Sequence, residues 1–237
     1  MSELKRINKY ISETGYCSRR EADKLVASGV VTVNGMVAEM GTKVGLEDVV
    51  LVNGKPLKKT VKNVYIAFNK PVGVTCVTDP KDPTNIIDFI NFKERIFPIG
   101  RLDKASEGLI FLTNDGDIVN KILRAENNHE KEYIVTVNKA LKDDFSKLMS
   151  KGVKILGTIT KPCKVEKIGK RIFRITLTQG LNRQIRRMCA VFGYDVVKLK
   201  RVRIMNVELK GIETGKWRYL TDKEMSKINQ LISKSKK

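Results

Sequence analysis

Residues 97–117 read FPIGRLDKASEGLIFLTNDGD. An apolar strand ends in Gly100-Arg101-Leu102-Asp103, a short loop carries Ser106, Glu107 and Gly108, and a second apolar strand runs over Leu109–Leu112 to the Asp115-Gly116 turn. Arg101 is a ready counter-ion for Asp103. A charged carboxylate on a loop between two buried strands can act as a nucleophile toward a sugar or base carbon. Taken alone, R-L-D is an ordinary turn whose aspartate caps its own backbone. Its meaning depends on what surrounds it.

Downstream and upstream of this stretch the chain is strand-rich. Val64–Phe68, Val72–Val77, Tyr133–Val137, Arg171–Thr178 and Val196–Met205 read as strands. Helices are expected at Asp117–Arg124, Leu141–Ser150 and Asn182–Phe192, the last closed by Gly193. A final helix starts at Thr221, with Glu224 as its capping-box partner, and frays into SKSKK. Strands mixed with non-repeating helices predict an α+β domain with a mixed, mainly antiparallel sheet flanked by helices.

The first 50 residues form a separate small α/β unit. Leu4, Ile7, Tyr10 and Ile11 recur at helical spacing up to Gly15; Ser18 and Glu21 cap a second helix that buries Ala22, Leu25 and Val26. Val30–Val33 then leads into Asn34-Gly35, a type I′ hairpin signal. Lys5, Arg6, Lys9, Arg19, Arg20 and Lys24 fall off the apolar stripes. The polar run LKKTVKN (57–63) marks a linker. The expected division is 1–50, a linker at 51–62, and a larger domain at 63–237.

Charge narrows the partner. The 237 residues carry 46 Lys+Arg against 26 Asp+Glu, a formal net charge of +20. Residues 161–237 alone hold 21 basic and 6 acidic groups, densest between Arg183 and Arg203. Arg-rich clustering of this kind favours nucleic acid, RNA or DNA, over an anionic membrane surface, without charge alone deciding among them. No apolar run reaches the ~18 residues of a membrane span, and MSELKRINKY lacks an apolar signal core, so a cytoplasmic protein is expected. The four cysteines have no C-x-x-C spacing, which fits a reducing compartment. His129 is the single histidine, which leaves no H-E-x-x-H site and no two-imidazole relay. Its own role is expected to be packing or surface. Cys76, Cys189 and Trp217 are expected to pack in apolar surroundings.

GRLDKASEGL resembles the catalytic motif of the RNA pseudouridine synthases of the RsuA/RluB/RluE/RluF group. NKPVG (69–73), Lys131-Glu132-Tyr133 and GLNRQIRRM (180–188) resemble further family elements, in the family's order. Residues RINKYISETGYCSRREADKLVASGVVTVNG resemble the S4 RNA-binding domain that this group carries. The resemblance implies cofactor-free, metal-free isomerisation of uridine in 23S ribosomal RNA. The RNA could be naked or within a pre-ribosomal particle, and a tRNA is a further candidate. It also implies a monomer with no membrane partner.

By the same resemblance, Asp103 is the nucleophile or acid–base group, whether it attacks the sugar, attacks the base or abstracts a sugar proton. Arg186 pairs with that carboxylate. Tyr133 stacks on the target base. Arg101 and Leu102 accompany flipping of the nucleotide, and Lys131, Arg183, Gln184 and Arg187 join them in binding RNA, as do the cations of the first two helices. Two other readings compete: a non-catalytic S4-domain ribosome-assembly factor, which would have no need of Asp103, Tyr133 and Arg186, and a glycoside hydrolase with Glu107 or Asp115 as second acid. A neutral sugar substrate suits a +20 protein poorly.

Overall fold

The computed structural model describes residues 4–57 and 62–235. The expected linker lies partly outside the described residues (58–61), as do the last two residues of the SKSKK tail. Residues 1–64, with 92–96 and 114–116, make one compact unit, and the remainder makes a second.

In the first unit, helices Ile7–Glu13 and Arg19–Ala27 accompany a four-stranded antiparallel sheet in the order Met36–Val37, Val31–Val33, Val50–Val52, Lys55–Pro56. The Ser18 hydroxyl accepts the Glu21 N–H at 3.1 Å, as the cap pattern predicts. Asn34 (φ 51°) and Gly35 (φ 84°) are both left-handed, the requirement of a I′ hairpin. Ile7, Ile11, Ala22, Val26, Val31, Val44, Val50 and Val52 form the core. Leu4 departs from the expected stripe and is 59% exposed. The reason is local: Lys5–Arg6 pairs with Lys43–Val44 as a strand, and the helix starts only at Ile7. Residues 51–56, where the sequence pattern predicts the start of a linker, are paired strands of this sheet.

The second unit is built on a sheet whose long strands follow the order Lys164–Gly169, Ile172–Leu177, Lys131–Val137, Val196–Ile204, Glu107–Thr113, Tyr65–Lys70, Trp217–Tyr219. All neighbours are antiparallel except Val196–Ile204 and Glu107–Thr113, which meet in parallel through Lys200↔Glu107 and Arg201↔Gly108. The sheet is therefore mixed and mainly antiparallel. One core packs Phe145, Met149, Phe173, Ile185, Met188 and Cys189 against one half. A second packs Phe111, Ile118, Ile122, Ile204, Ile228 and Ile232 against the other. Cys76 and Cys189 are buried, as expected.

Three local expectations change. Val72–Val77 is a turn, not a strand; Pro71 offers no N–H, and the buried Lys70 ammonium donates to the carbonyls of Pro71 and Val74, each at 2.8 Å. The Leu141–Ser150 helix shortens to Phe145–Ser150. Trp217 is 36% exposed on the edge strand, edge-on to Tyr219, and does not sit in a core. The structure adds a short helix, Ile86–Ile90, capped by Asn85 on the Asp88 N–H. The last helix, Asp222–Ile232, has the full Thr221–Glu224 capping box. Among the described residues no helix is long and apolar enough to cross a membrane.

Candidate active site

The parallel seam positions the site. Its two strands approach so closely that a Cβ at Gly108 would lie 2.2 Å from the Arg201 carbonyl oxygen, and Gly108 itself has φ 106°. Only glycine fits there. Five residues before it, the chain turns out of the sheet with Asp103 on the loop, where Ser106 N–H donates to the Asp103 carbonyl at 2.9 Å.

Asp103 lines a pocket of about 450 Å³ together with Arg101, Leu102, Lys131, Tyr133, Arg183, Gln184 and Arg201. Four widely separated segments thus converge. Asp103 Oδ2 stands 3.8 Å from Arg183 Nη1 and 4.0 Å from Arg186 Nε, with its side chain one-third exposed. Arg186 is held from behind: Nη1 donates to the Val196 carbonyl at 2.9 Å and Nη2 to the Ala105 carbonyl at 3.0 Å. Those two bonds fix the fork and leave its buried Nε without a hydrogen-bond partner, facing Asp103. Burial lowers the Arg186 pKa, Arg183 pushes the same way, and Asp103 opposes both; a guanidinium starts high enough to stay charged.

The remaining expected residues divide. Leu102 is buried, and its N–H donates to Cys76 Sγ at 3.3 Å. Arg101, Arg183 and Arg187 are exposed, although Arg187 also donates to the Asn182 carbonyl at 3.1 Å. Gln184 is buried at the pocket wall. Its Oε1 accepts the Leu181 N–H at 2.9 Å and its Nε2 reaches Met188 Sδ at 3.8 Å, so both ends stabilise the turn into the Gln184–Val191 helix. Of the first unit's cations, Lys5 is bound to Glu13 at 2.7 Å and Lys9 to the same carboxylate at 3.4 Å, whereas Arg6, Arg19, Arg20 and Lys24 are exposed.

Lys131 is 9% exposed, and burial with Arg201 nearby pushes its pKa down to about 8. Its ammonium donates to the His129 carbonyl at 3.2 Å. His129 packs its ring against the C-terminal segment, Nε2 2.9 Å from Ser235 Oγ, in keeping with a packing role. By sequence Arg201 is only one charge in a basic run. The strand register gives it a place, directly opposite Tyr133.

A pocket of this chemistry beside a mixed sheet, on a chain with a small helix-and-hairpin unit at its start, defines a two-part RNA-modifying enzyme. Comparison with known proteins makes it specific. The family model for RNA pseudouridylate synthase matches residues 64–191, and the S4 domain model matches residues 5–50. The chain belongs to the RNA pseudouridylate synthase family and carries an S4 domain. It is 58% identical over 97% of its length, and 80% of the relative, to the dual-specificity RNA pseudouridine synthase RluF of Escherichia coli K12. It is 34% identical over 98% of its length, and 99% of the relative, to ribosomal large subunit pseudouridine synthase B of Bacillus subtilis. A crystal structure of a pseudouridylate synthase matches with TM-score 0.70 and 30% identity, covering 94% of this chain and 99% of that one. The catalytic reading therefore prevails over that of a non-catalytic binding factor.

Proposed function

We propose that this enzyme converts a specific uridine of 23S ribosomal RNA to pseudouridine, in the cytoplasm and as a monomer, with no cofactor and no membrane partner. In this reading the first unit, through its last strand at Lys55–Pro56, grips RNA, and residues 63–237 carry the chemistry. Asp103 is the group that acts on the target nucleotide. The observation that carries the assignment is the single carboxylate in a cationic pocket, faced by Arg183 and by a fixed Arg186. Arg186 holds the carboxylate aimed, as fixed guanidinium–carboxylate pairs do. Tyr133 provides a face on which the flipped base stacks. A uracil within folded RNA reaches the pocket only by leaving its stack, at a cost of a few kcal/mol. Arg101 and Leu102 take part in that step, with Arg183 and Arg187 on the phosphates.

The 58% identity to a dual-specificity RluF and the match to a large-subunit enzyme support a large-subunit ribosomal target, with tRNA as the second RNA to try. The test is tritium release from RNA labelled at uracil C5, using 23S rRNA, pre-ribosomal particles and tRNA. Release from 23S rRNA or its particles is expected from the folded protein. Asp103→Asn should lower it by roughly 10³-fold or more while RNA binding persists. No release from any of these RNAs would overturn the proposal, and so would a wild-type rate in the variant.

A further inference from the structure

Two cations sit where ordinary protein design would avoid them. Arg201 is 3% exposed and Lys131 is 9% exposed, and both line the pocket that holds Asp103. Arg201 is anchored by one strong bond, Nε to the Leu109 carbonyl at 2.6 Å, while its buried Nη2 has no hydrogen-bond partner. Lys131 has three donor hydrogens and spends one on the His129 carbonyl. Among the described residues, no carboxylate comes within 4.0 Å of either. Removing a charge from water without a counter-ion is costly. The third buried cation, Lys70, behaves differently: it is locked between two carbonyls and lies outside the pocket lining.

The reaction supplies a transient anion. In the sugar-directed routes the C1′–N1 bond breaks with its electron pair on the base, whose charge spreads to its two carbonyl oxygens. C1′ is meanwhile taken by the Asp103 carboxylate, or C2′ gives Asp103 its proton. In the base-directed route the carboxylate adds to C6, the displaced pair moves to O4, and the C1′–N1 bond then breaks with its pair on N1, which frees C1′ for C5. Each route ends alike. C5 bonds to C1′, the carboxylate is released or returns its proton, C5–H passes its proton to solvent, and N1 gains one. In every route negative charge grows on the uracil oxygens, inside a pocket from which water is displaced.

Arg201 is placed to meet that charge. Register sets it across from Tyr133, and its guanidinium lies 5.9 Å from the centre of the Tyr133 ring. A base stacked on that ring, in the proposed reading, shares the pocket with both cations. Resting on the proposed reading of the pocket, we infer that Arg201 and Lys131 are catalytic residues that donate to the uracil carbonyl oxygens and hold the charge the base acquires. Fixed donors aimed at developing charge are the strongest kind of electrostatic catalysis. A backbone phosphate is the less suitable guest, since the exposed Arg101 and Arg183 on the same pocket are better placed for it.

The test uses the full chain, with Arg201→Met, Arg201→Lys, Lys131→Met and Lys131→Arg. The substrate is an RNA on which wild type makes pseudouridine, synthesised with either uridine or 5-fluorouridine at the target. Fluorine withdraws electrons and stabilises the base anion, so the modified base depends less on the cations. Single-turnover consumption at saturating protein and the RNA Kd are both measured. The methionine variants should be slowed about 100-fold on uridine, with Kd within about 3-fold of wild type. Their deficit on 5-fluorouridine should fall below about 10-fold, and the conservative variants should recover most of the rate. Equal deficits on both substrates would overturn the inference. So would a weakened Kd with an unchanged rate, which would assign the pair to a phosphate. If Arg201→Met fails to unfold cooperatively, Lys131→Met decides the matter. A wild type that makes no pseudouridine overturns the functional reading instead, whereas an active wild type with variants within about 3-fold of its rate overturns only this inference.

Discussion

Gly108 lies opposite Arg201 across the sheet's parallel seam, close enough that a methyl group at 108 would meet the Arg201 carbonyl oxygen at 2.2 Å. The contact joins the end of the Asp103 loop to the strand that carries the buried guanidinium. Gly108→Ala must open the seam and adopt a left-handed φ at a residue with a side chain. Strain and overpacking together should cost about 3 kcal/mol or more, read as a lower denaturation midpoint. Turnover should fall with it, because Asp103 and Arg201 shift relative to each other.

Arg186 ties three segments together, so its charge alone is not enough. Arg186→Lys retains a cation but cannot span the Val196 and Ala105 carbonyls at once. The variant should lose about 1–2 kcal/mol of stability from the unmade bond and the stranded carbonyl. Single-turnover kinetics at saturating protein should show a rate lower by about 10–100-fold. An unchanged rate would mean that aiming Asp103 does not depend on the fork.

Lys131 predicts a pH dependence of stability with a definite sign. Its folded pKa of about 8 lies below the ordinary lysine value of 10.5. Between those values the unfolded chain binds a proton that the folded chain does not, so this group makes stability rise with pH. Below pH 8 both states are protonated and the desolvation cost is fully present. The change amounts to about 3 kcal/mol across the window. Cys189 and Cys163, whose pKa values burial pushes up to about 12 and about 11, act in the opposite sense above pH 9. The measurement is therefore the difference between wild type and Lys131→Met from pH 7 to 10, which should shrink as pH rises.

The S4 unit predicts a salt signature. Arg20 and Lys24 are exposed on one helix, while Lys5 is already paired with Glu13. Replacing Arg20 or Lys24 with Gln should weaken RNA binding and reduce the slope of log Kd against log salt by about 1 for each phosphate that is no longer neutralised. Lys5→Gln should change it less. Turnover at saturating RNA should hold in all three variants, since none of these residues lines the pocket.

Periodic and capping signals are legible in the sequence because they are local. Ser18–Glu21, Thr221–Glu224 and Asn34-Gly35 act within four residues, and each behaves as its pattern predicts. The long strands carry enough β-branched and aromatic residues to be read directly. Motif order brings Asp103, Tyr133 and Arg186 to attention without coordinates. Register and side-chain economy are what the sequence hides. Nothing in VKLKRVRI says that Arg201 turns inward while Lys198 stays outside on Glu107. Nothing in NKPVG says that Lys70 bends back onto two carbonyls and ends the strand. The motif GLNRQIRRM singles out Gln184, but nothing in it says that the amide bonds the Leu181 N–H and reaches Met188 Sδ at the start of the helix. Trp217 looks like core because it is large, but a three-residue edge strand has one side open.

The parallel seam also sets a clock on synthesis. Leu109 and Arg201 are 92 residues apart in the chain, and Ala105 and Arg186 are 81 apart. At about 5–20 residues per second, the ribosome makes the Leu109 carbonyl roughly 5–20 seconds before the guanidinium that will bind it. Until then the Asp103 loop has neither its brace nor its buried cation. The nascent chain therefore gains its S4 unit long before its chemistry, and an enzyme whose substrate class is RNA is inert toward it until its last third has been made.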